Sequence, residues 1–325
     1  MLNNKTILIT GATGSFGQKF VSKILNKYKS VKKVIVFSRD EYKQLLMQEK
    51  FEKSNYKKLR FFLGDIRDVS RLKQAFEGVD IIVHAAALKQ VPAAEYNPIE
   101  FIKTNIIGAQ NIIEAAIEKN VSKVLSLSTD KAVAPINLYG ATKLCADKLF
   151  LAANNIKGDK KITFSILRYG NVMMSRGSVI PIFLKIKNNI FPVTDKKMTR
   201  FSITLDQSVE MAIKALEYSM GGEIFIPKLK SYKIVDLVKA ISGSGKIKDI
   251  GIRQGEKIYE ELISKGETSD IFSYKDFYII SSQTKINLKG DYKKIEKNFS
   301  YNSNNSGFYN VNELKKIISG ELKII

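Results

Sequence analysis

The run TILITGATGSFG, residues 6–17, sets an apolar strand directly against a glycine-rich turn. An amphipathic helical pattern follows to about Tyr28, so the turn leads into a helix N-terminus. Gly11, Gly14 and Gly17 are spaced G-x-x-G-x-x-G, not in the more usual G-x-G-x-x-G. Glycine here lets the backbone turn tightly and brings the helix N-terminus up to a pyrophosphate. A bare glycine triplet is equally a structural turn. Its place between strand and helix is what points to a dinucleotide.

Working outward, Val34–Phe37 reads as a second strand, with a helical stretch from about Tyr42. Arg60–Leu63, Ile81–His84 and Val124–Leu127 are further short apolar strands, each followed by a helical pattern. This alternation predicts an α/β fold, a doubly wound parallel sheet of Rossmann type with helices on both faces. Past residue 170 the pattern loosens into loops and short helices, then a polar tail from about Lys285 and a last helix at Val311–Ile318. The expected organisation is a dinucleotide-binding domain over residues 1–170, to which some later segments return. Residues 171–325 are expected to form mainly a smaller substrate-binding lobe and the tail.

The end of the second strand bears on which dinucleotide. A carboxylate there accepts from the ribose 2′-hydroxyl of NAD. This chain has Ser38 and Arg39, with Lys43 one turn further on, and arginine favours the 2′-phosphate of NADP. Asp40 follows at once, and reverses the preference to NAD if it faces the ribose instead. Asp65, in GDIRD, is placed to meet the adenine amine, whereas Asp68 reads as a helix N-cap. Ala85 and Ala86 follow the fourth strand, and small side chains there let the backbone approach a cofactor closely. His84, the only histidine, reads as a strand-end core residue, and Cys145 as a packing residue. The sequence therefore offers no metal cluster, Ser-His-Asp triad or Cys-His pair. Any chemistry must run on Tyr, Lys and Asp.

Those residues stand together in STDKAVAPINLYGATK, 128–143. Tyr139 and Lys143 are four apart on a helix and share one face. A lysine ammonium beside the phenol is expected to lower its pKa toward general-base work. Asp130 and Lys131, just upstream, are a candidate acid and base. Taken alone, Tyr-x-x-x-Lys is more often solvated helix surface and Asp-Lys an exposed loop pair.

Composition narrows the class. The 325 residues, 44% apolar and 26% charged, suit one large α/β unit with an added lobe. There is no apolar run of membrane-spanning length and no signal-peptide layout, and one cysteine fits a reducing compartment, so a cytoplasmic protein is expected. The net charge of +21 invites a nucleic-acid reading. Its lysines are spread along the chain, however, which reads as compositional bias, with neither nucleic acid nor membrane as partner. Arginine is scarce, eight of the 53 basic residues. Arg39, Arg176, Arg200 and Arg253 are therefore candidate ligand contacts, since a bidentate fork does what a lysine cannot.

With GATGSFG at the start and YGATK after the fifth strand, the chain resembles the extended short-chain dehydrogenase/reductase superfamily. SRDE at 38–41, HAAALKQVP at 84–92, STDKA at 128–132, RYGN at 168–171, MTRF at 198–201 and GIRQGEK at 251–257 are similar to the UDP-N-acetylglucosamine 4,6-dehydratases. NLYGATKLCADKLF resembles their 5-inverting branch, which leads toward pseudaminic acid. Gln90 matches instead a branch feeding capsule sugars. The resemblance implies a bound NADP, UDP-N-acetylglucosamine as substrate, and a homo-oligomer. Cofactor contacts are expected at Gly11, Thr13, Gly14, Ser15, Phe16, Gly17, Ser38, Arg39, Lys43, Asp65, Ile66, Ala85, Ala86 and Asn105, with Tyr139 and Lys143. By resemblance, substrate contacts fall on Lys89, Asn171, Ile180, Thr194, Met198, Arg200, Arg253 and Glu256.

The implied chemistry is a redox-neutral elimination. Tyr139 takes the C4 hydroxyl proton, Lys131 as a neutral amine takes the C5 proton, and Asp130, kept protonated, donates to the departing C6 hydroxyl. Burial and nearby positive charge are expected to lower the Lys131 pKa. Thr129 is expected to hydrogen-bond the sugar's 4-oxygen. Two other readings compete: a UDP-sugar 4-epimerase, which needs no Asp-Lys pair, and a non-catalytic nucleotide-sensing protein that binds nucleic acid.

Overall fold

The computed structural model describes residues 1–52, 57–175, 177–281 and 290–322. Strand β1 (Thr6–Thr10) is buried along its whole length, as a parallel strand covered on both faces must be. Alternation then follows through α1 (Ser15–Lys27), β2 (Lys33–Ser38), α2 (Glu41–Glu52), β3 (Leu59–Leu63), α3 (Val69–Ala75) and β4 (Ile81–His84). Asp68 caps α3 as read from the sequence, its side chain accepting from the Arg71 N–H. Two short helices, α4 (Val91–Tyr96) and α5 (Pro98–Phe101), run through a wide π turn at Ile102–Ile107 into α6 (Gly108–Glu118). Next come β5 (Lys123–Thr129), a 3₁₀ turn at Asp130–Ala132, α7 (Leu138–Ile156) and β6 (Thr163–Tyr169).

Beyond residue 170 lie β7 (Asn171–Val172), α8 (Val179–Leu184), β8 (Ile190–Val193), β9 (Thr199–Ile203) and α9 (Leu205–Tyr218). They are followed by β10 (Glu223–Pro227), β11 (Ser231–Lys233), α10 (Ile234–Ser242), β12 (Lys246–Asp249) and β13 (Glu261–Ile263). The chain ends with β14 (Asp270–Tyr274), β15 (Phe277–Ser281), β16 (Lys293–Lys294), β17 (Tyr301–Asn302) and α11 (Val311–Leu322).

Among the described residues, ten strands form one sheet in the order β3-β2-β1-β4-β5-β6-β10-β15-β14-β16. The first seven run parallel and the last three join antiparallel. The order reverses between β1 and β4, and a ligand crevice opens at the carboxyl ends of strands on either side of such a switch point. Register brings Thr10 beside His84 and Thr129 beside Tyr169, so the motif residues all emerge along one edge.

Apolar faces on the two sides of the sheet are covered separately. One carries Ile7, Ile9, Phe20, Ile24, Val209 and Phe225, the other Leu8, Phe37, Ile112, Phe150, Phe164 and Ile226. Each such fully buried side chain contributes about 1.5–3 kcal/mol of transfer free energy. Met173, Phe183, Phe191, Met198, Tyr232, Leu237 and Leu314 form another core, under the segment between β7 and α11. Among the described residues, no helix is long and apolar enough to cross a membrane. No cluster of His, Cys, Asp and Glu there has metal-holding geometry.

Candidate active site

The glycine turn does what its sequence requires. Gly11 has φ of 65°, a left-handed conformation, and a Cβ there would lie 2.9 Å from the Ala86 backbone. The turn therefore closes on the Ala85–Ala86 segment across the switch point, and only glycine fits. Helix α1 begins just after Gly14, with no side chain capping its first N–H groups. Those free donors and the positive end of the helix dipole form a cradle for an anionic diphosphate.

A cleft of about 960 Å³ runs from this turn across the sheet edge. Thr13, Ser15, Phe16, Ser38, Arg39, Lys43, Asp65, Ile66, Ala85 and Ala86 line its one end. Lys89, Thr129, Lys131, Tyr139, Lys143, Asn171 and Arg253 line the other. At the β2 end, Gln44 donates to the Ser38 hydroxyl (3.0 Å) and carbonyl (2.9 Å), fixing that turn. The Asp40 carboxylate is taken up by the Lys43 ammonium and backbone N–H, whose hydrogen bonds hold it below the usual carboxylate range. Asp65, expected to meet an adenine amine, lines the cleft and accepts from Arg67 at 2.8 and 3.0 Å. Burial opposes its charge, but those hydrogen bonds lower its pKa overall. Arg39 lies 3.9 Å from the same carboxylate and is largely exposed.

Asn105 belongs to a supporting layer. On the π turn, it accepts from the Leu88 N–H (2.9 Å) and donates to the Leu88 carbonyl (2.9 Å) and the Thr142 hydroxyl (3.0 Å). It thereby pins the 85–92 loop to α7, away from the cleft surface. Ile180, Thr194, Met198 and Arg200 likewise sit behind the cleft wall: Ile180 and Met198 are buried in the lobe core. The Met198 sulfur receives the Thr194 hydroxyl at 3.0 Å and an Arg200 N–H at 3.3 Å. Glu256 stands beside Arg253 at 4.0 Å. Arg176 lies outside the described residues.

The Asp130–Lys131 turn is the charged centre. It forms because Thr129 caps it, the side chain accepting from the Lys131 N–H. Gly140 on α7 packs so closely that a Cβ would lie 2.2 Å from the Lys131 carbonyl, which locks the turn to the start of the tyrosine helix. Asp130 is fully buried; its Oδ1 receives the Thr129 hydroxyl (2.9 Å) and Lys131 Nζ (3.1 Å). Its Oδ2 has no hydrogen-bond partner. Burial raises its pKa, as expected for a carboxyl kept as the acid.

Lys131 departs from expectation. Its Nζ reaches Asp130, the Asn171 amide oxygen (3.3 Å) and Glu260 (3.2 Å). Burial opposes its charge, yet the Asp130 and Glu260 carboxylates outweigh that, so the ammonium is stabilised and its pKa raised, not lowered. Tyr139 also departs: burial pushes its phenol up to about 12, against the charge of Lys131 and a hydrogen bond with Thr129. Lys143 supplies no resolved lowering; its Nζ donates to the Leu127 carbonyl at 2.8 Å, and burial lowers its own pKa. His84 is a core residue as read, bonded to Thr10 at 2.8 Å, with burial lowering its pKa to about 3. Cys145 is exposed on α7, so it is no packing residue.

Two features escaped the sequence reading. Glu260, buried just before β13, gives no local motif, since its partner Lys131 is brought to it only by the fold. Asp147 did leave a signal, sharing a helix face with Tyr139 and Lys143 at four-residue spacing. It is buried and accepts from the Ser128 hydroxyl (2.7 Å) and Arg168 Nη2 (3.2 Å). Arg168 Nη1 also donates to the Leu262 carbonyl at 3.3 Å, tying α7, β6 and β13 together.

Residues 7–282 match the family described as polysaccharide biosynthesis protein. The chain is 47% identical to a Campylobacter jejuni subsp. jejuni serotype O:2 protein named UDP-N-acetylglucosamine 4,6-dehydratase (inverting), covering 98% of each. It is 42% identical to a Rickettsia bellii protein named UDP-glucose 4-epimerase, covering 98% of this chain and 96% of that one. The X-ray structure of Pen from Bacillus thuringiensis superposes with a TM-score of 0.91 at 39% identity, covering 99% of both chains.

Proposed function

The chain belongs to the polysaccharide biosynthesis protein family, and from that premise we propose that it is a nucleotide-sugar 4,6-dehydratase acting on UDP-N-acetylglucosamine. The observation that carries this reading is the Asp130–Lys131 turn, a fully buried acid 3.1 Å from the amine of Lys131, which itself lines the cleft beside Tyr139 and Lys143. A 4-epimerase has no use for an acid and a base at C5 and C6.

The glycine cradle fits a nicotinamide dinucleotide: the close approach at Gly11 and the uncapped start of α1 suit its diphosphate. When bound there, the group supplies a hydride acceptor and donor. Everything else falls to the protein. Tyr139, once its own phenol proton has passed to solvent, takes the 4-hydroxyl proton, with Thr129 orienting that oxygen. The resulting 4-ketone acidifies C5–H, because the electron pair left behind delocalises into an enolate. Lys131, once its ammonium has given up a proton to solvent, takes the C5 proton, and Asp130, neutral in its buried place, gives its proton to the departing C6 hydroxyl. Lys89, Asn171 and Arg253 line the sugar-nucleotide end of the cleft, and the lobe beyond residue 170 frames it. The inverting form of the reaction is the one adopted, and proton NMR of the product reports the C5 configuration.

The test is product mass. Incubated with UDP-N-acetylglucosamine, the chain releases a product lighter by one water; an isobaric hexose product sinks the dehydratase in favour of the epimerase that the Rickettsia relative's name suggests.

The cofactor reading is NADP. Arg39 is exposed at the end of β2, and Asp40, the one carboxylate that would reverse the choice, is occupied by Lys43. A charge-assisted hydrogen bond to a 2′-phosphate contributes about 1.5–3 kcal/mol. Arg39→Ala is accordingly expected to weaken NADP binding by about 10–100-fold and leave NAD binding unchanged, as read by fluorescence titration. Equal weakening of both dinucleotides counts against NADP.

A further inference from the structure

Asn137 works in two directions at once. It is the N-cap of α7, its Oδ1 accepting from the Gly140 N–H at 2.8 Å. Its Nδ2 donates to the Gly255 carbonyl at 2.9 Å, 118 residues away in the chain. One side of the amide faces a donor and the other an acceptor, so a single orientation satisfies both. Gly255 is seated directly on it: a Cβ added there would lie 3.0 Å from the Asn137 Cβ.

What the amide holds is the turn that carries Arg253. Residues 250–260, between β12 and β13, are neither helix nor strand. Within them the Glu256 N–H returns to the Arg253 carbonyl at 3.1 Å, closing a turn over Gln254 and Gly255. Arg253 lines the cleft from this turn, its side chain 64% exposed. A long arginine side chain on an irregular segment loses much freedom when it grips a ligand, and fixing its backbone beforehand lowers that cost. Lys257 adds a second fastening, its Nζ donating to the Val133 carbonyl at 2.8 Å. Both fastenings land on residues 133–137, the segment that links the Asp130–Lys131 turn to α7.

We propose that Asn137 is a positioning residue for the nucleotide sugar, joining the Arg253 turn to the cap of the helix that carries Tyr139. An arginine fork suits a diphosphate, and the joint sets the distance from that grip to the acid–amine pair. The inference rests on the dehydratase reading for the sugar end. Its nucleotide end is tested with UDP alone.

The test is a substitution that keeps one function of the amide and removes the other. Aspartate caps a helix as well as asparagine does, but its carboxylate cannot donate to the Gly255 carbonyl. Asn137→Asp in the full chain is expected to keep a Tm close to that of the wild type. It binds UDP about 5–10-fold more weakly by titration calorimetry, as the loss of one hydrogen bond implies. KM for UDP-N-acetylglucosamine rises by the same factor, while kcat stays within about twofold. Asn137→Ser, another capping residue and too short to reach Gly255 as well, repeats the pattern. It carries the test alone if the aspartate variant does not accumulate as folded protein. Because the amide acts through Arg253, adding either change to Arg253→Ala weakens UDP no further, whereas independent effects multiply. Unchanged UDP affinity in the capping variants, or effects that multiply, overturns the proposal while the dehydratase stands. A wild-type chain that releases no dehydrated product, with UDP affinity falling in the variants as stated, overturns the dehydratase reading and leaves the joint in place.

Discussion

Lys131→Ala lowers kcat for dehydration by about 10³–10⁴-fold, at the upper end of what one acid–base group supplies, with KM for the nucleotide sugar within a few-fold of wild type. The reasoning is local. Lys131 is the amine that lines the cleft at the Asp130 turn, and its contacts to Asp130, Asn171 and Glu260 aim Nζ at one spot. On the proposed mechanism, removing it deletes the C5 base and leaves Asp130 and Glu260 facing each other across the gap. Two buried carboxyl groups without the cation between them favour sharing a proton, so the truncated site has an acid but no base. Product formation followed by mass spectrometry, in deuterium oxide, is the check: the alanine variant also fails to carry solvent deuterium onto C5. A residual rate within tenfold of wild type removes Lys131 from the chemistry.

Tyr139→Phe is expected to cost about 10³-fold in kcat while barely disturbing the fold. Tyr139 is buried in a small cluster with Ala94 and Phe101, packed by Leu88 and Leu138, and the ring itself is unchanged by the substitution. What is lost is one oxygen, which interacts with Thr129 and, on the proposed mechanism, receives the 4-hydroxyl proton. Leaving the Thr129 contact unmade costs about 1–3 kcal/mol of stability, a shift of a few degrees in Tm for a chain of this size. Activity and Tm measured on one preparation separate the two effects. A large fall in Tm with a rate merely tenfold down makes Tyr139 a packing residue.

How far the sequence carried these conclusions depends on the distance over which each interaction acts. The strand–glycine–helix start, the strand end at His84 and the Asp68 cap are set by neighbours within a few residues and stand where the pattern put them, whereas β2 and β5 run on past the expected Phe37 and Leu127 to Ser38 and Thr129. The Asp130–Lys131 turn was legible for the same reason. Its charge state was not. Burial and positive neighbours argued for a neutral lysine, but the carboxylate of Asp130 beside it and that of Glu260, brought in from a distant part of the chain, reverse the balance. The return of β10, β14, β15 and β16 to the main sheet was equally hidden in its detail, because short antiparallel strands such as DIFSY and FYIIS carry no mark of which edge they will join. Cys145 misled because its helix is solvated on that side, and one residue type says little about which side it takes.

The tie from Arg168 to β13 ends on the carbonyl of Leu262, a main-chain atom that every residue type provides. Its other end rests on Asp147, inside α7, the helix that carries Tyr139. The anchor therefore places no demand on which side chain stands at position 262. Leu262 is itself buried in the sheet core, so apolar side chains that fill that space can be exchanged there without loosening the helix that holds Tyr139. For protein engineering, β13 offers a natural seam: chimaeras joined beside it keep the grip, provided that Asp147 and Arg168 travel together with the sheet.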